Sequence, residues 1–312
     1  MAIDPDTFLS QDDTSRLQNT LTEIALSLNS LGRQALLKNS GIPLSSRSGL
    51  HFETAANIFA SELTAFFRTA IVSDMRPDYH PMINVLGHLL VTTPLDDETE
   101  RLFKRLNAQG IENLKAITAR SSVGRLESPE GQWLGTGTLV GTGMILTCYH
   151  ILSEMSGRLW IRFSYKKRRD NWSPNPGEAF EINTCPVAIN HNLDYVLLKL
   201  LREPEGRRIA LPFRNILDND QEIHLVHHPG GKPVEVSDIG RIADIGDEFI
   251  DHTIPALKGS SGGPLFDRDW HFIAIHRGDD PQRTLRPGTL AAVPLNAFWN
   301  VLIDKHIPVS VE

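Results

Sequence analysis

Between Thr14 and about Gly110 the apolar residues return every three or four positions, as in Leu17, Leu21, Ile24 and Leu28 and again in Ile58, Leu63, Phe66 and Phe67. That spacing lines one face of an α-helix. The punctuation agrees: Ser30 is placed to cap a helix running to Lys38, Gly41 and Pro43 to stop it, Asp96 to cap a helix over 97–109, and Gly110 to end that helix. Four to six short helices are expected. After about Ala119 the period shortens. The runs 137-GTLVGTGMILT-147, 158-RLWIRFSY-165, 193-LDYVLLKL-200, 222-EIHLVHHPGG-231 and 271-HFIAIHRG-278 alternate or stay apolar briefly and break at Gly, Pro or Asn, as short strands do. A helical stretch, 295-LNAFWNVLIDK-305, follows them. The expectation is an α+β multidomain chain: an all-α bundle over residues 1–115, then an all-β barrel or sandwich over 118–312 with a C-terminal helix.

Composition narrows the function classes. The 312 residues suit two domains, and 40% hydrophobic with 22% charged residues describes an ordinary folded protein. A net charge of −7 offers no global positive field for nucleic acid or an anionic membrane, so neither is expected as a partner. The one basic run, 166-KKRR-169, stands before Trp172, Pro174, Pro176 and Gly177 and reads as a solvated loop between strands. The acidic start, 1-MAIDPDTFLSQDD-13, lacks the pattern of a secretion signal, and no apolar run reaches the about 18 residues of a membrane span, so a cytoplasmic setting is expected. Cys148 and Cys185 are too few for a disulfide framework and are expected as reduced thiols. His224, His227 and His228 do not fall on one face of a strand, and neither a His-Glu-x-x-His pair nor a phosphate-cradling Gly-rich loop is present, so no metal or cofactor is expected.

Three stretches of the second domain hold the parts of a nucleophilic site. In 143-GMILTCYHIL-152 a buried-looking strand ends in His150; in 191-HNLDYVLLKL-200 Asp194 opens an apolar strand; in 257-LKGSSGGPLF-266 Ser261 lies in a glycine turn. By composition the last stretch also reads as a flexible linker. Singly, a histidine after a strand or an aspartate before one is ordinary surface chemistry. Together they supply what a serine hydroxyl lacks, an imidazole to take its proton and a carboxylate to hold that imidazole in the right tautomer.

In this order and with these neighbours the residues resemble the chymotrypsin-like (trypsin-like) serine proteases, and more closely their bacterial glutamyl-endopeptidase relatives. Gly137-Thr138-Leu139-Val140 with Ile145-Leu146-Thr147-Cys148-Tyr149-His150 is similar to the family's histidine segment. Asp194-Tyr195-Val196-Leu197-Leu198-Lys199-Leu200 is similar to its aspartate segment, Gly259-Ser260-Ser261-Gly262-Gly263-Pro264 to its serine segment, and the turn 228-HPGG-231 recurs in the bacterial members. The resemblance implies a double β-barrel of chymotrypsin type with the site in the cleft between barrels, and a protein substrate. Ser261 would attack the scissile carbonyl, His150 would act as base and then acid, Asp194 would orient His150, and the amides of Gly259 and Ser261 would form the oxyanion hole.

Departures from the pattern carry information. Digestive members place an aspartate before the nucleophile to pair with a new amino terminus; here that residue is Ser260, and 117-ITARSSVGRL-126 lacks the Ile-Val-Gly-Gly start, so another mode of control is expected. Six positions before Ser261, where trypsin-type members are acidic, stands Pro255, followed by Ala256, which argues against Arg or Lys before the cut. His276, fifteen residues after Ser261, fits the histidine that contacts Glu or Gln in glutamyl endopeptidases, with Arg277 adding charge and Gly278 leaving backbone free for a substrate strand. The other reading of His276 is a hydrogen bond to the Asp194 side of the site. In the first domain, 80-HPMINVLGHLL-90 and 95-LDDETERLFKRL-106 resemble the small effector-associated and death-fold-like adaptor domains that precede bacterial effector enzymes. That implies a protein partner for the helical domain and a role in bacterial defence, antiviral defence included, or stress. The rival expectation is a protease-like fold without activity that serves as a binding module.

Overall fold

The computed structural model describes residues 4–73, 76–167, 173–206, 209–214, 217–279 and 286–310. Its contacts divide the chain into two compact units, Pro5–Ile117 and Thr118–Glu312.

The first unit is built from α1 (Gln11–Leu26), α2 (Ser30–Asn39), α3 (Ala56–Thr69), α4 (Pro81–Thr92) and α5 (Asp97–Ser121), whose last residues belong to the second unit. The three- and four-residue spacing turns Leu17, Leu21, Phe59, Leu63, Phe67, Leu86, Phe103 and Leu106 into one buried core. Asp96 caps α5 as expected, its Oδ1 accepting the amides of Glu98 and Thr99 at 3.0 and 2.9 Å. Two readings of the punctuation are corrected. The cap of α2 is Asn29, whose side chain accepts the Gly32 amide at 2.8 Å, and Ser30 is already helical. Gly110 does not end α5, which runs on to Ser121. A β-carbon there would stand 2.8 Å from Cγ1 of Ile83 on α4, so the glycine serves close helix packing.

The second unit holds two antiparallel barrels. The strands β1 (Val123–Glu127), β2 (Trp133–Gly141), β3 (Met144–Cys148), β4 (Leu159–Phe163), β5 (Glu178–Asn190) and β6 (Tyr195–Leu200) close in the order β1-β2-β3-β6-β5-β4. A short helix, α6 (His150–Ser153), interrupts them after β3. The strands β7 (Glu222–His227), β8 (Glu235–Val236), β9 (Gly240–Ile245), β10 (Ile250–His252), β11 (Pro264–Asp267), β12 (Phe272–Gly278) and β13 (Leu290–Pro294) run in the order β11-β12-β13-β10-β9-β7-β8, and a β11–β7 pairing closes the second barrel. α7 (Trp299–Asp304) follows, entered through a turn of tighter helix. The architecture is therefore the expected one: N-terminal helices, then a double β-barrel of chymotrypsin type with a C-terminal helix.

The barrel packing explains why several strands stay apolar instead of alternating. On β6, Val196 and Leu198 fill the first barrel with Leu139, Ile145 and Phe163, while Leu197 faces the other way into a second cluster. That cluster also takes Val140 and Leu146 from the first barrel and Val226, Phe266, Ile275 and Val293 from the second. A strand buried on both faces has no solvent side to mark with polar residues. Of the basic run, Arg168 and Arg169 lie outside the described residues, and Lys167 pairs with Glu235 at 3.1 Å. No described helix is long and apolar enough to cross a membrane.

Substituting Gly110→Val tests the packing account of α5. The added branches meet Ile83, so the unfolding free energy of the full chain falls by about 1–3 kcal/mol although valine is at least as good a helix former as glycine. Urea unfolding followed by circular dichroism measures it; an unchanged midpoint would contradict the account.

Candidate active site

Register in the first barrel brings His150 and Asp194 together. β3 pairs antiparallel with β6, with Cys148 opposite Tyr195, so the residues just beyond each strand end meet at the same edge. Asp194 sits at φ 56°, a left-handed conformation that a short polar side chain tolerates. Its carbonyl there accepts the Tyr149 amide at 3.1 Å. Its carboxylate takes the His150 amide on Oδ1 at 2.8 Å and the His150 ring Nδ1 on Oδ2 at 2.7 Å. With Nδ1–H spent on the carboxylate, Nε2 of a neutral His150 keeps its lone pair, the tautomer a general base needs. Burial pushes the Asp194 carboxyl up, but the contacts from His150 and the charge of Arg277 outweigh it and hold the group below the usual carboxylate range. It is ionised at neutral pH.

Ser261 lies between β10 and β11 and lines one cleft with His150, Asp194, Ala256, His276 and Gly278. In the resting arrangement its hydroxyl donates to the Arg277 carbonyl at 3.3 Å. The glycines after it are required by space. Gly262 has φ 83°, and a β-carbon there would lie 2.1 Å from Thr147 Oγ1 and 2.2 Å from the Thr136 carbonyl. This stretch is a packed turn between strands, not a linker.

The remaining sequence-derived site residues fall around the same cleft. His276, in the middle of the β12–β13 ladder, is buried, and its Nδ1 faces His252 Nε2 at 3.0 Å. His252 Nδ1 accepts the Ile254 amide at 3.2 Å, so the proton of a neutral His252 is on Nε2 and is donated to His276 Nδ1. His276 therefore carries its own proton on Nε2. A β-carbon on Gly278 would lie 3.8 Å from that Nε2 and 3.9 Å from Ser261 Oγ, so any side chain at this position would stand beside both groups. Arg277 lines the cleft as well, but its Nε donates to Asp194 Oδ2 at 3.2 Å and its guanidinium lies over the Phe249 ring at 5.0 Å. The contact to Asp194 is thus made by Arg277, whereas His276 turns to His252. The part played by His252 was not visible in the sequence, where it is a lone histidine at a strand end.

Cys148, His150 and Asp194 place potential ligand atoms within 4.8 Å of one another. The chemistry does not suit a cation: the Cys148 thiol donates to the His276 carbonyl at 3.2 Å, and burial together with the Asp194 charge pushes its pKa well up, against the thiolate a metal would need.

Comparison with known proteins places these features in context. Residues 135–275 match the family model described as trypsin-like peptidase domain, and residues 11–118 match effector-associated domain 8. A glutamyl endopeptidase of Staphylococcus aureus strain MRSA252 is 25% identical over 170 residues, covering 51% of this chain and 46% of the relative. The glutamyl endopeptidase of strain MW2 is 25% identical over 168 residues, 50% of each chain. The chain thus spans about half the length of the curated relatives it matches. Among solved structures, the serine endoprotease from Yersinia pestis aligns with a TM-score of 0.49 at 17% identity, over 63% of this chain and 66% of that one.

The buried histidines give the fold an acid limit. Burial lowers His227 and His252 to about 4 and His228 to about 3, from 6.5. Between pH 6.5 and about 4 the unfolded chain binds protons that these folded side chains refuse, so stability is complete above 6.5 and drains away as pH falls through that window. Urea midpoints should fall steadily from pH 7 to pH 5, before most carboxylates titrate. A midpoint flat over that range would contradict the neutral, buried state of the histidines.

Proposed function

We propose that this chain, a trypsin-like peptidase domain behind an effector-associated domain, is a serine endopeptidase that cuts protein substrates through an acyl-enzyme on Ser261. The observation that carries the reading is the double grip of Asp194 on His150, at 2.8 and 2.7 Å, at the edge of the cleft that Ser261 also lines. Substrate entering the cleft draws the Ser261 hydroxyl from the Arg277 carbonyl toward His150 Nε2. His150 takes the proton as Ser261 attacks the scissile carbonyl and returns it to the leaving amine, with Asp194 stabilising the imidazolium between the two steps. Water then repeats the sequence on the acyl-enzyme. The amides of Gly259 and Ser261 receive the developing oxyanion.

For the side chain before the cut, the reading favours an acidic or amide group over a basic one. His276 offers an Nε2–H donor beside Gly278, its tautomer fixed through His252, and the chain's similarity to glutamyl endopeptidases points the same way. Ala256 adds no hydroxyl to that wall, so His276 carries the selection. The helical unit recruits or controls the peptidase through a protein partner, a division of labour suited to bacterial defence or stress. An exposed, unpaired Cys185 fits a reducing, cytoplasmic setting. The competing reading, a binding module without activity, rests on the Ser261 hydroxyl bonding a carbonyl. Catalytic hydrogen bonds commonly tighten only with substrate in place.

A fluorophosphonate probe separates the two. The wild-type chain should label and Ser261→Ala should not; wild-type chain that stays unlabelled with any activator present would sink the enzyme reading. In a peptide-library profile Glu or Asp should dominate before the cut, and His276→Phe should cost about tenfold to 100-fold of that preference, the worth of one hydrogen bond to a charged group. A profile led by large apolar residues would contradict the assignment.

A further inference from the structure

The loop that carries Ser261 is held in an unusual pattern of spent and unspent backbone groups. All four carbonyls from Lys258 to Ser261 have donors. Lys258 O accepts the Gly230 amide at 2.7 Å, Ser260 O the Gly263 amide at 3.0 Å, and Ser261 O the Thr136 amide at 2.9 Å. Gly259 O accepts the Thr136 hydroxyl at 2.8 Å. Of the amides from Gly259 to Gly263, those of Ser260, Gly262 and Gly263 are spent on Leu257 O, His276 O and Ser260 O. The Gly259 and Ser261 amides have no acceptor among the described residues, although Gly259 is buried. Buried amides are almost always paired, so the unspent donor of buried Gly259, with a second at part-exposed Ser261 two residues on in an otherwise bonded loop, points to an external acceptor.

The orientation of the Gly259 amide follows from its neighbour. A trans peptide directs its C=O and N–H to opposite sides. With Lys258 O fixed on Gly230, the Gly259 N–H is turned away from the 229–231 turn. Gly259 is pressed against that turn at φ 96°, where a β-carbon would lie 2.7 Å from His228 O. Thr136 ties the two sides together, its Oγ1 also accepting the His228 amide at 3.1 Å. Beneath the loop, Ser260 Oγ and His227 Nδ1 stand 2.7 Å apart, both buried. His227 is neutral at pH 7, because burial lowers it to about 4, so this anchor places no charge under the loop.

We infer that Thr136, the 228-HPGG-231 turn and the Ser260–His227 pair form an uncharged clamp that holds the oxyanion hole formed at rest, making Thr136, His227 and Ser260 positioning residues for the reaction. The inference rests on the endopeptidase reading and deepens it. The position that could have carried an activating carboxylate is occupied by a hydroxyl already bonded within the peptidase unit. Competence of the hole then needs no newly formed ion pair, and control of the enzyme acts on access or recruitment.

The test compares full-length wild type with Ser260→Ala, Thr136→Val and Thr136→Ser, using a peptide p-nitroanilide substrate and fluorophosphonate titration of active sites. Losing one oxyanion donor outright costs about 10²–10³ in kcat, so a loosened clamp should lower kcat per titrated site by about tenfold or more. KM should stay within about threefold, as expected when only transition-state stabilisation is lost. Thr136→Ser should restore the rate. A merely structural role would reduce the number of titrated sites and leave kcat per site unchanged; that result in Ser260→Ala, which is small enough to fold, overturns the inference. If wild type takes no label, the endopeptidase reading fails on its own, and crystal structures of wild type and Ser260→Ala decide the clamp. Lys258 O on Gly230 in the first and turned toward the cleft in the second supports it; the same orientation in both overturns it.

Discussion

The site depends first on one strand pairing. Because β3 and β6 run antiparallel with Cys148 opposite Tyr195, the two chain ends that leave this ladder emerge side by side, and one carries His150 while the other carries Asp194. A slip of one residue would turn every side chain of β6 to the opposite face, exchanging Val196 and Leu198 in the barrel interior for Leu197 in the layer between the barrels. Burial on both faces therefore fixes the register, and the register fixes the imidazole–carboxylate contact. The hydrophobic core is in this sense part of the geometry of the candidate site.

Electrostatics around the contact are divided by burial. Asp194 is kept ionised by His150 and Arg277 against the desolvation that opposes it. Behind the cleft, His227, His228, His252 and His276 are all driven below their ordinary range, burial being the largest cause for each. The cleft thus holds a carboxylate paired with the Arg277 guanidinium and the His150 ring, and also His276, a neutral imidazole whose proton is placed through His252. A neutral His276 with a fixed Nε2–H can donate a hydrogen bond to a group entering the cleft.

Much of this was legible in the sequence where the signal is local. The helical period, the strand runs and the segments around His150, Asp194 and Ser261 are stretches of a few residues, and the structure sets them on the helices, strands and turn expected of them. Reading failed where the cause lies elsewhere in the chain. Gly110 looks like a stop but answers to Ile83 on a neighbouring helix. Asn29 and Ser30 are both good caps, and only geometry chooses between them. β10 is three residues long, too short to show a period. The contacts of His252 with His276, of His227 with Ser260 and of Thr136 with Gly259 join residues 24, 33 and 123 positions apart, and no pattern along the chain announces them.

Ser261 Oγ is the atom that the proposed reaction acylates, and the most direct measurement is the mass of the protein itself. Full-length chain mixed with an activated acyl-peptide ester under acidic quench should gain the mass of the acyl group, with fragmentation placing it on Ser261 and with the adduct lost in His150→Ala. Acylation at another residue, or an adduct on Ser261 that forms equally fast without His150, would contradict it.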